Sequence, residues 1–109
     1  MGPRGLKRGD VVRVASGKPR PAVIVQGDQF VTPIDILLCP FTTTLLDAPI
    51  YRVPVPATPH NGLRSDSQLM VDKIGPARRD QIDEVIGQLS AEDMARLTES
   101  MAIILGIGR

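Results

Sequence analysis

Arg20 and Pro21 directly precede the apolar run Ala22-Val23-Ile24-Val25, which predicts a strand, and they place a fixed cation at its start. Proline locks its own φ and disfavours helical backbone at the residue before it, so the arginine stands on stiff, extended chain. A guanidinium keeps its charge and offers paired donors that match phosphate oxygens. These residues predict an anion site, and a phosphate is the expected anion.

Hydroxyl and carboxylate side chains follow two later apolar runs. Three threonines, residues 42–44, come after the run at 34–39. If the chain stays extended, their side chains alternate between the two faces, so one or two of them face a cleft. In residues 67–74, apolar and polar side chains alternate, which predicts that Asp72 shares a side with Met70 and is partly desolvated. The only histidine, His60, lies in a Pro-rich loop at 56–66 and is predicted to be exposed.

The positive charge is concentrated at the N-terminus. Residues 1–20 contain one acid, Asp10, against six basic residues, whereas the whole chain has a net charge of only +1. The six are Arg4, Lys7, Arg8, Arg13, Lys18 and Arg20. This asymmetry predicts a basic face for a polyanion, with a solvated N-terminal surface as the alternative. Aromatic residues make up 3% of the chain and Trp is absent, so base stacking is not expected to dominate recognition.

Metal, redox and membrane classes receive no support from the sequence. The single cysteine, Cys39, has no second Cys or His nearby and is predicted to be a buried, inert thiol. We expect no cofactor and no metal. The N-terminus lacks the apolar run of a signal peptide, and no apolar stretch has transmembrane length, so we expect a cytoplasmic protein with no membrane contact.

The elements that position these residues are predicted to be mainly strands. The 109 residues are long enough for one domain with a thin core. Strands are expected at 11–14, 22–26 (central), 34–39, 50–55 (an edge) and 67–74, with stops at Pro40 and at Gly75-Pro76. A final helix at about 90–105 is indicated by Ser90 as N-cap and Gly106 as stop. Its apolar face comprises Met94, Leu97, Met101, Ile104 and Leu105.

Residues 82–89 have two interpretations. Ile82, Val85, Ile86 and Leu89 are spaced as i, i+3, i+4 and i+7, which favours a helix. Gly87 and the short length leave a strand possible. Five or six short strands and one terminal helix predict a mostly β (α+β), barrel-like domain.

In chain order, six segments carry a resemblance to a known family. They are Arg8-Gly9-Asp10-Val11, Arg20-Pro21-Ala22-Val23-Ile24-Val25-Gln26, Cys39-Pro40-Phe41-Thr42-Thr43, Gly62-Leu63 with Asp66-Ser67 and Val71-Asp72-Lys73-Ile74, Ile86-Gly87-Gln88-Leu89-Ser90, and Ile103-Ile104-Leu105-Gly106. This pattern resembles the MazF/PemK toxins of type II toxin–antitoxin systems, whose fold is shared by the CcdB gyrase poisons. The resemblance implies a small SH3-like, CcdB/MazF-type barrel of five to seven strands with a C-terminal helix, in one toxin domain spanning residues 1–109. It also favours a short helical turn near 79–82 and a strand at 84–89.

The resemblance implies a function and a site. It implies a homodimeric, metal-independent endoribonuclease that cuts single-stranded mRNA by attack of the 2′-OH and is neutralised by a cognate antitoxin. Arg20 and Thr42 match the family's active-site arginine and threonine, with Thr43 or Thr44 as substitutes. Asp72 matches a general base in the PemK branch, or else orients Arg20. RNA contacts are expected from Lys18, Thr43, Arg64, Lys73 and Arg78.

Two alternatives remain open at this point. The first is a CcdB-like gyrase poison that binds through its C-terminal helix and cuts nothing; the Gly106-Ile107 ending is similar to that branch. The second is a catalytically weakened homologue that only binds an antitoxin. It is motivated by Met70, which stands where the PemK branch has a catalytic arginine, and by the short loop at 16–19.

Overall fold

Residues 5–108 of this computed structural model are the described part of the chain, and they fold into seven strands followed by one helix. The strands are β1 (Asp10–Val14), β2 (Arg20–Ile24), β3 (Asp35–Thr42), β4 (Arg52–Val55), β5 (Ser67–Met70), β6 (Gly75–Arg78) and β7 (Ile82–Gln88), and the helix is α1 (Ala91–Leu105). Two single 3₁₀ turns, Val71–Lys73 and Arg79–Gln81, flank β6. The predicted mostly β architecture with a C-terminal helix is confirmed.

The strands form one antiparallel sheet in the order β4-β5-β3-β2-β1-β7, with β6 paired to β3. β2 lies between β1 and β3, as its apolar sequence predicted, and β4 lies at an edge. β2 begins at Arg20, two residues earlier than expected, because Pro21 is accommodated opposite Arg13 in the ladder with β1. Arg20 is therefore the first residue of a central strand.

β3 does not stop at Pro40, contrary to the prediction. Pro40 is paired with Ala22 of β2, whereas the next residue, Phe41, is paired with Leu69 of β5. The proline thus marks the point at which β3 leaves one neighbour and joins another. A residue without an N–H is tolerated at such a junction because the ladder is interrupted there. The continuation carries Thr42 to the end of the strand.

The single strand predicted at 67–74 is wrong. β5 ends at Met70, the chain makes a 3₁₀ turn over Val71–Lys73, and Gly75-Pro76 begins β6 instead of ending a strand. β6 then pairs with the first half of β3. Val71 is buried and fixes the turn against the core, while Asp72 is exposed. The expectation that Asp72 is partly desolvated is therefore wrong as well.

The helix indicated by the spacing of residues 82–89 is also wrong, since these residues form β7. The ladder between β1 and β7 contains two irregularities, between Val11 and Val12 and between Arg13 and Val14. Each inserts an extra residue in β7, Ile86 at the first and Asp83 at the second. The bulge at Asp83 puts Ile82 and Val85 on the same side of the sheet although they are three residues apart, whereas Ile86 and Leu89 belong to the cluster on the other face. The short turn and strand implied by the family resemblance are confirmed.

α1 has the predicted boundaries. Ser90 Oγ accepts a hydrogen bond from Asp93 N at 3.0 Å, and Gly106 ends the helix with a φ of +71°. Leu97 is fully buried, and Met94, Met101 and Ile104 pack on the cluster that lies between helix and sheet. Leu105, at 64% exposure, is not part of that face. A second cluster, around Val12, Ile24 and Ile82, lies on the opposite face of the sheet.

Candidate active site

A cavity of about 740 Å³ opens where the β1–β2 connection, the loop at 56–66 and β7 meet. Its walls contain four basic side chains and one acidic side chain. The lining residues are Arg13, Lys18, Pro19, Arg20, Pro21, Thr43, Gly62, Leu63, Arg64, Ser65, Ser67, Glu84 and Ile86. Of the eight residues that the sequence singled out for catalysis or RNA contact, Lys18, Arg20, Thr43 and Arg64 meet here. Aromatic side chains are absent from this lining.

Arg20 borders the cavity as the first, exposed residue of β2. No salt bridge within residues 5–108 involves Arg20, Lys18 or Arg64. Pro21 stiffens the backbone that carries the guanidinium. In the described part of the chain, three cations without an acidic partner thus border one concave space, which is an arrangement suited to binding an anion.

Arg13 differs from the other three cations because its charge is already compensated. Its Nε and Nη2 donate to Asp83 Oδ2 at 3.0 and 2.8 Å, and its Nη1 lies 3.2 Å from Glu84 Oε1. Glu84 is the residue directly opposite Arg13 in the β1–β7 ladder. The cavity therefore has three cations available for an external ligand, and Glu84 is the one carboxylate in its wall.

Thr42 and Thr43 differ in their relation to the cavity and in their surroundings. The β2–β3 ladder ends at the pair Ala22–Pro40, before Arg20 and Thr42, and Thr42 lies outside the cavity lining that Arg20 and Thr43 share. Thr42 is half-buried, and its Oγ1 accepts a hydrogen bond from Thr44 N at 3.1 Å. Because that bond uses a lone pair, the O–H of Thr42 remains a donor. Thr43 is exposed and lines the cavity itself.

Asp72 does not line the cavity. It lies in the Val71–Lys73 turn, and no salt bridge links it to Arg20 within residues 5–108. Its charge acts instead on the buried thiol of Cys39. Burial, with a further contribution from Asp72, raises the pKa of Cys39 to about 12, and the Sγ donates to Met70 O at 3.4 Å. The prediction of a buried thiol is confirmed.

Lys73 and Arg78 are exposed and also lie outside the cavity lining. Arg78 is paired with Asp80, with Nη2 and Oδ2 2.6 Å apart. This hydrogen bond lowers the pKa of Asp80. Any contact of these two basic residues with a polyanion would therefore occur beyond the cavity, on the neighbouring surface of β6.

Asn61, which the sequence marked only as part of a turn, holds the loop that carries Arg64. It is 3% exposed. Its Oδ1 accepts from Thr58 N at 3.1 Å and from Leu63 N at 3.0 Å, and its Nδ2 donates to Pro56 O at 2.9 Å. One buried amide thus fixes both limbs of the loop. The Asn-Gly dipeptide signals a turn, but it does not show that the asparagine side chain is the centre of the loop.

Two glycines allow this loop to lie directly on β7. Gly62 has a φ of +73°, and a Cβ built on it would be 2.1 Å from Ile86 O. A Cβ on Gly87 would be 2.4 Å from the carbonyl carbon of Asn61. Gln88 N donates to the carbonyl of exposed His60 at 3.0 Å. The close approach fixes Leu63 and Arg64 relative to Glu84, and no sequence pattern signals it.

The described residues contain neither a metal-binding cluster nor a membrane-spanning helix. Within residues 5–108, no cluster of three or more His, Cys, Asp or Glu side chains is arranged to hold a metal ion. The described chain also contains no helix with the length and apolar character needed to cross a bilayer.

Similarity to known proteins covers nearly the whole chain. Residues 7–105 match the family of PemK-like, MazF-like toxins of type II toxin–antitoxin systems. The probable endoribonuclease MazF of Mycolicibacterium smegmatis is 36% identical over 107 residues, which cover 94% of this chain and 98% of that protein.

Solved structures share the fold at lower identity. A MazE–MazF crystal structure from Deinococcus radiodurans has a TM-score of 0.79 at 20% identity and covers 99% of both chains. An endoribonuclease in complex with its cognate antitoxin, from a mycobacterial species, has a TM-score of 0.78 at 22% identity, with 96% of this chain and 99% of that chain covered. The family match, the curated relative and the shared fold agree, and the chain belongs to the PemK-like, MazF-like toxins of type II toxin–antitoxin systems.

Proposed function

We propose that this toxin is a metal-independent endoribonuclease that cleaves single-stranded mRNA by attack of a 2′-OH on the adjacent phosphate. The observation that carries the proposal is the cavity in which Lys18, Arg20 and Arg64 border one space beside the exposed Thr43, with no acidic partner for any of the three among the residues that the structure describes. The 36% identical relative, whose name is probable endoribonuclease MazF, supports the same activity. The whole chain, residues 1–109, acts as one toxin domain.

RNA supplies the nucleophile, so the protein has to orient the 2′-OH and stabilise charge. The 2′-oxygen forms a bond to phosphorus, the bond from phosphorus to the 5′-oxygen breaks, and the products are a 2′,3′-cyclic phosphate and a 5′-OH. Arg20 donates paired hydrogen bonds to the phosphoryl oxygens, where negative charge grows in the transition state. Thr42 donates its O–H to the same phosphate, with Thr43 as the neighbouring donor. No step in this scheme requires a metal.

The 2′-OH proton is accepted by a carboxylate, for which the chain offers two candidates. Asp72 matches the family pattern, whereas Glu84 lines the cavity. The accepted proton returns to solvent, and water supplies the proton for the departing 5′-oxygen. Asp72→Asn and Glu84→Gln distinguish the candidates, because only loss of the true base removes the acidic limb of the pH–rate profile for cleavage.

Flanking contacts and partners complete the proposal. Lys18 and Arg64 bind phosphates next to the scissile one, and Lys73 and Arg78 bind the strand beyond the cavity. The toxin acts in the cytoplasm as a homodimer and is neutralised by a cognate antitoxin. The antitoxin complexes of structurally similar proteins, from Deinococcus radiodurans and from a mycobacterial species, support this partner.

The test is to incubate purified protein with a long RNA in EDTA and to map the new ends. Expected products are a 2′,3′-cyclic phosphate or 3′-phosphate on one fragment and a 5′-OH on the other. A 5′-phosphate, or loss of cleavage in EDTA that added Mg²⁺ restores, contradicts the proposed chemistry. An intact RNA together with inhibited gyrase supercoiling supports the CcdB-like alternative. Intact RNA, uninhibited gyrase and continued growth after forced expression support a weakened antitoxin-binding homologue.

A further inference from the structure

Gln68 holds the segment that follows Thr42. It is buried, at 8% exposure, and is the cross-strand partner of Thr42 in the β3–β5 ladder. Its Oε1 accepts from Leu46 N at 3.0 Å, and its Nε2 donates to Leu46 O at 2.9 Å. The side-chain amide thereby pairs with the backbone of Leu46 as a neighbouring strand would.

Arg52 extends this contact to the threonines. Its Nη1 donates to Gln68 Oε1 at 3.1 Å and to Thr44 O at 2.9 Å. Thr44 N in turn donates to Thr42 Oγ1 at 3.1 Å. Hydrogen bonds on either side of the Thr44 backbone, at its O and at its N, therefore connect the buried amide of Gln68 to the hydroxyl of Thr42.

Apolar burial does little to hold this segment. Leu45 and Leu46 are 57% and 51% exposed, and Ile50 and Tyr51 are 42% and 54% exposed. The main restraints on residues 43–47 are thus the polar contacts made by Gln68 and Arg52. A hydroxyl that must meet a phosphate needs a fixed direction, because an error of about 1 Å in such a contact costs about 100-fold in rate.

We infer that Gln68 and Arg52 are positioning residues, which act through Thr44 to aim the Thr42 hydroxyl at the scissile phosphate. The inference rests on the proposed function, in which Thr42 contacts that phosphate. Neither side chain touches RNA in this account. Loss of either one therefore slows the cleavage step and leaves RNA affinity nearly unchanged.

The experiment measures single-turnover RNA cleavage and, separately, affinity for a 2′-O-methyl RNA that cannot be cut. Gln68→Met keeps the side-chain length but removes all three hydrogen bonds, and we expect cleavage to fall by about 10- to 100-fold. Gln68→Glu keeps both acceptor contacts, to Leu46 N and to Arg52, but sets a carboxylate oxygen against Leu46 O, so its rate should lie between those of Gln68→Met and the unmodified protein. Arg96→Met is the matched control. Arg96 lines, together with Gln68 and Arg52, a second cavity separate from the candidate active site, but it bonds to Asp93 and Pro54 O, and this variant should leave the rate unchanged.

A double variant separates positioning from general stability. In a Thr42→Ala background, Gln68→Met should slow cleavage no further, because its effect passes through the missing hydroxyl. An equal loss in both backgrounds overturns the inference, as does a Gln68→Met enzyme that cleaves normally while Thr42→Ala is slow. A normal rate for Thr42→Ala removes the proposed role of Thr42 and this inference together. If Gln68→Met does not fold, Arg52→Met, which keeps the contacts between Gln68 and Leu46, carries the same expectations.

Discussion

Salt dependence of RNA binding tests the charge arrangement of the cavity quantitatively. Among the described residues, Lys18, Arg20 and Arg64 lack acidic partners, whereas Arg13 is compensated by Asp83 and Glu84. Each phosphate contact with a single strand contributes about −0.7 to the slope of log affinity against log salt, so the five proposed contacts, made by these three residues and by Lys73 and Arg78, give a slope of about −3.5. Affinity should then fall about 100-fold between about 50 and 200 mM salt.

The assay is fluorescence anisotropy with a labelled 2′-O-methyl RNA, which binds without being cut. Arg64→Ala should reduce the slope to about −2.8, so that affinity falls only about 50-fold over the same range. Arg96→Ala is the control, since Arg96 is an exposed cation outside the cavity lining, and its slope should match that of the unmodified protein. A slope of the same size for Arg64→Ala and the unmodified protein would refute the assignment of Arg64 to a phosphate.

Three further predictions concern the scaffold. Gly87→Ala should lower the free energy of unfolding by about 1–3 kcal/mol and weaken RNA binding, because its Cβ would meet the backbone of Asn61 at 2.4 Å. Urea titration measures the first effect, and unchanged stability would refute the close approach. Ile50→Asn should raise the free energy of unfolding by about 1 kcal/mol, since a β-branched residue is strained at a φ of +79°, and a decrease would contradict this. Burial keeps Cys39 protonated, so iodoacetamide at neutral pH should alkylate it only after denaturation. Burial raises the pKa of this thiol from its ordinary value of 9.0 to about 12, so its stabilising contribution is complete below pH 9 and declines as pH rises toward 12. A Cys39→Ala variant should lack this decline.

Local signals predicted the parts of the site that depend on one stretch of chain. Pro21 stiffens the backbone at Arg20 wherever the strand lies, and Ser90 and Gly106 define α1 through contacts within a few residues. The alternation of side chains in extended backbone predicted that one or two of the threonines at 42–44 face a cleft, and Thr43 lines the cavity. The family resemblance, rather than any spacing, linked Arg20 to Thr42.

The missed features depend on contacts between distant segments. The bulges of β7 form only in its ladder with β1. The bulge at Asp83 puts Ile82 and Val85 on the same side of the sheet at a separation of three residues, which is also the separation expected on one face of a helix. Asp72 lies in a turn and not in the predicted strand. The turn is required because one half of β3 pairs with β5 and the other half pairs with β6, so the chain must turn between β5 and β6. Glu84 lines the cavity because the register of the β1–β7 ladder places it opposite Arg13. No local pattern contains this information.

The stabilisation of the scissile phosphate by Arg20 is tested most directly by the cleavage rate of Arg20→Ala at saturating RNA, compared with Arg20→Lys and with the control Arg96→Ala. Loss of the paired donors should reduce cleavage by about 100- to 1000-fold, while circular dichroism shows an unchanged fold. Arg20→Lys keeps the charge without the fork of donors, so its rate should be intermediate. An Arg20→Ala protein that is folded and cuts RNA at the rate of the unmodified toxin would contradict the account.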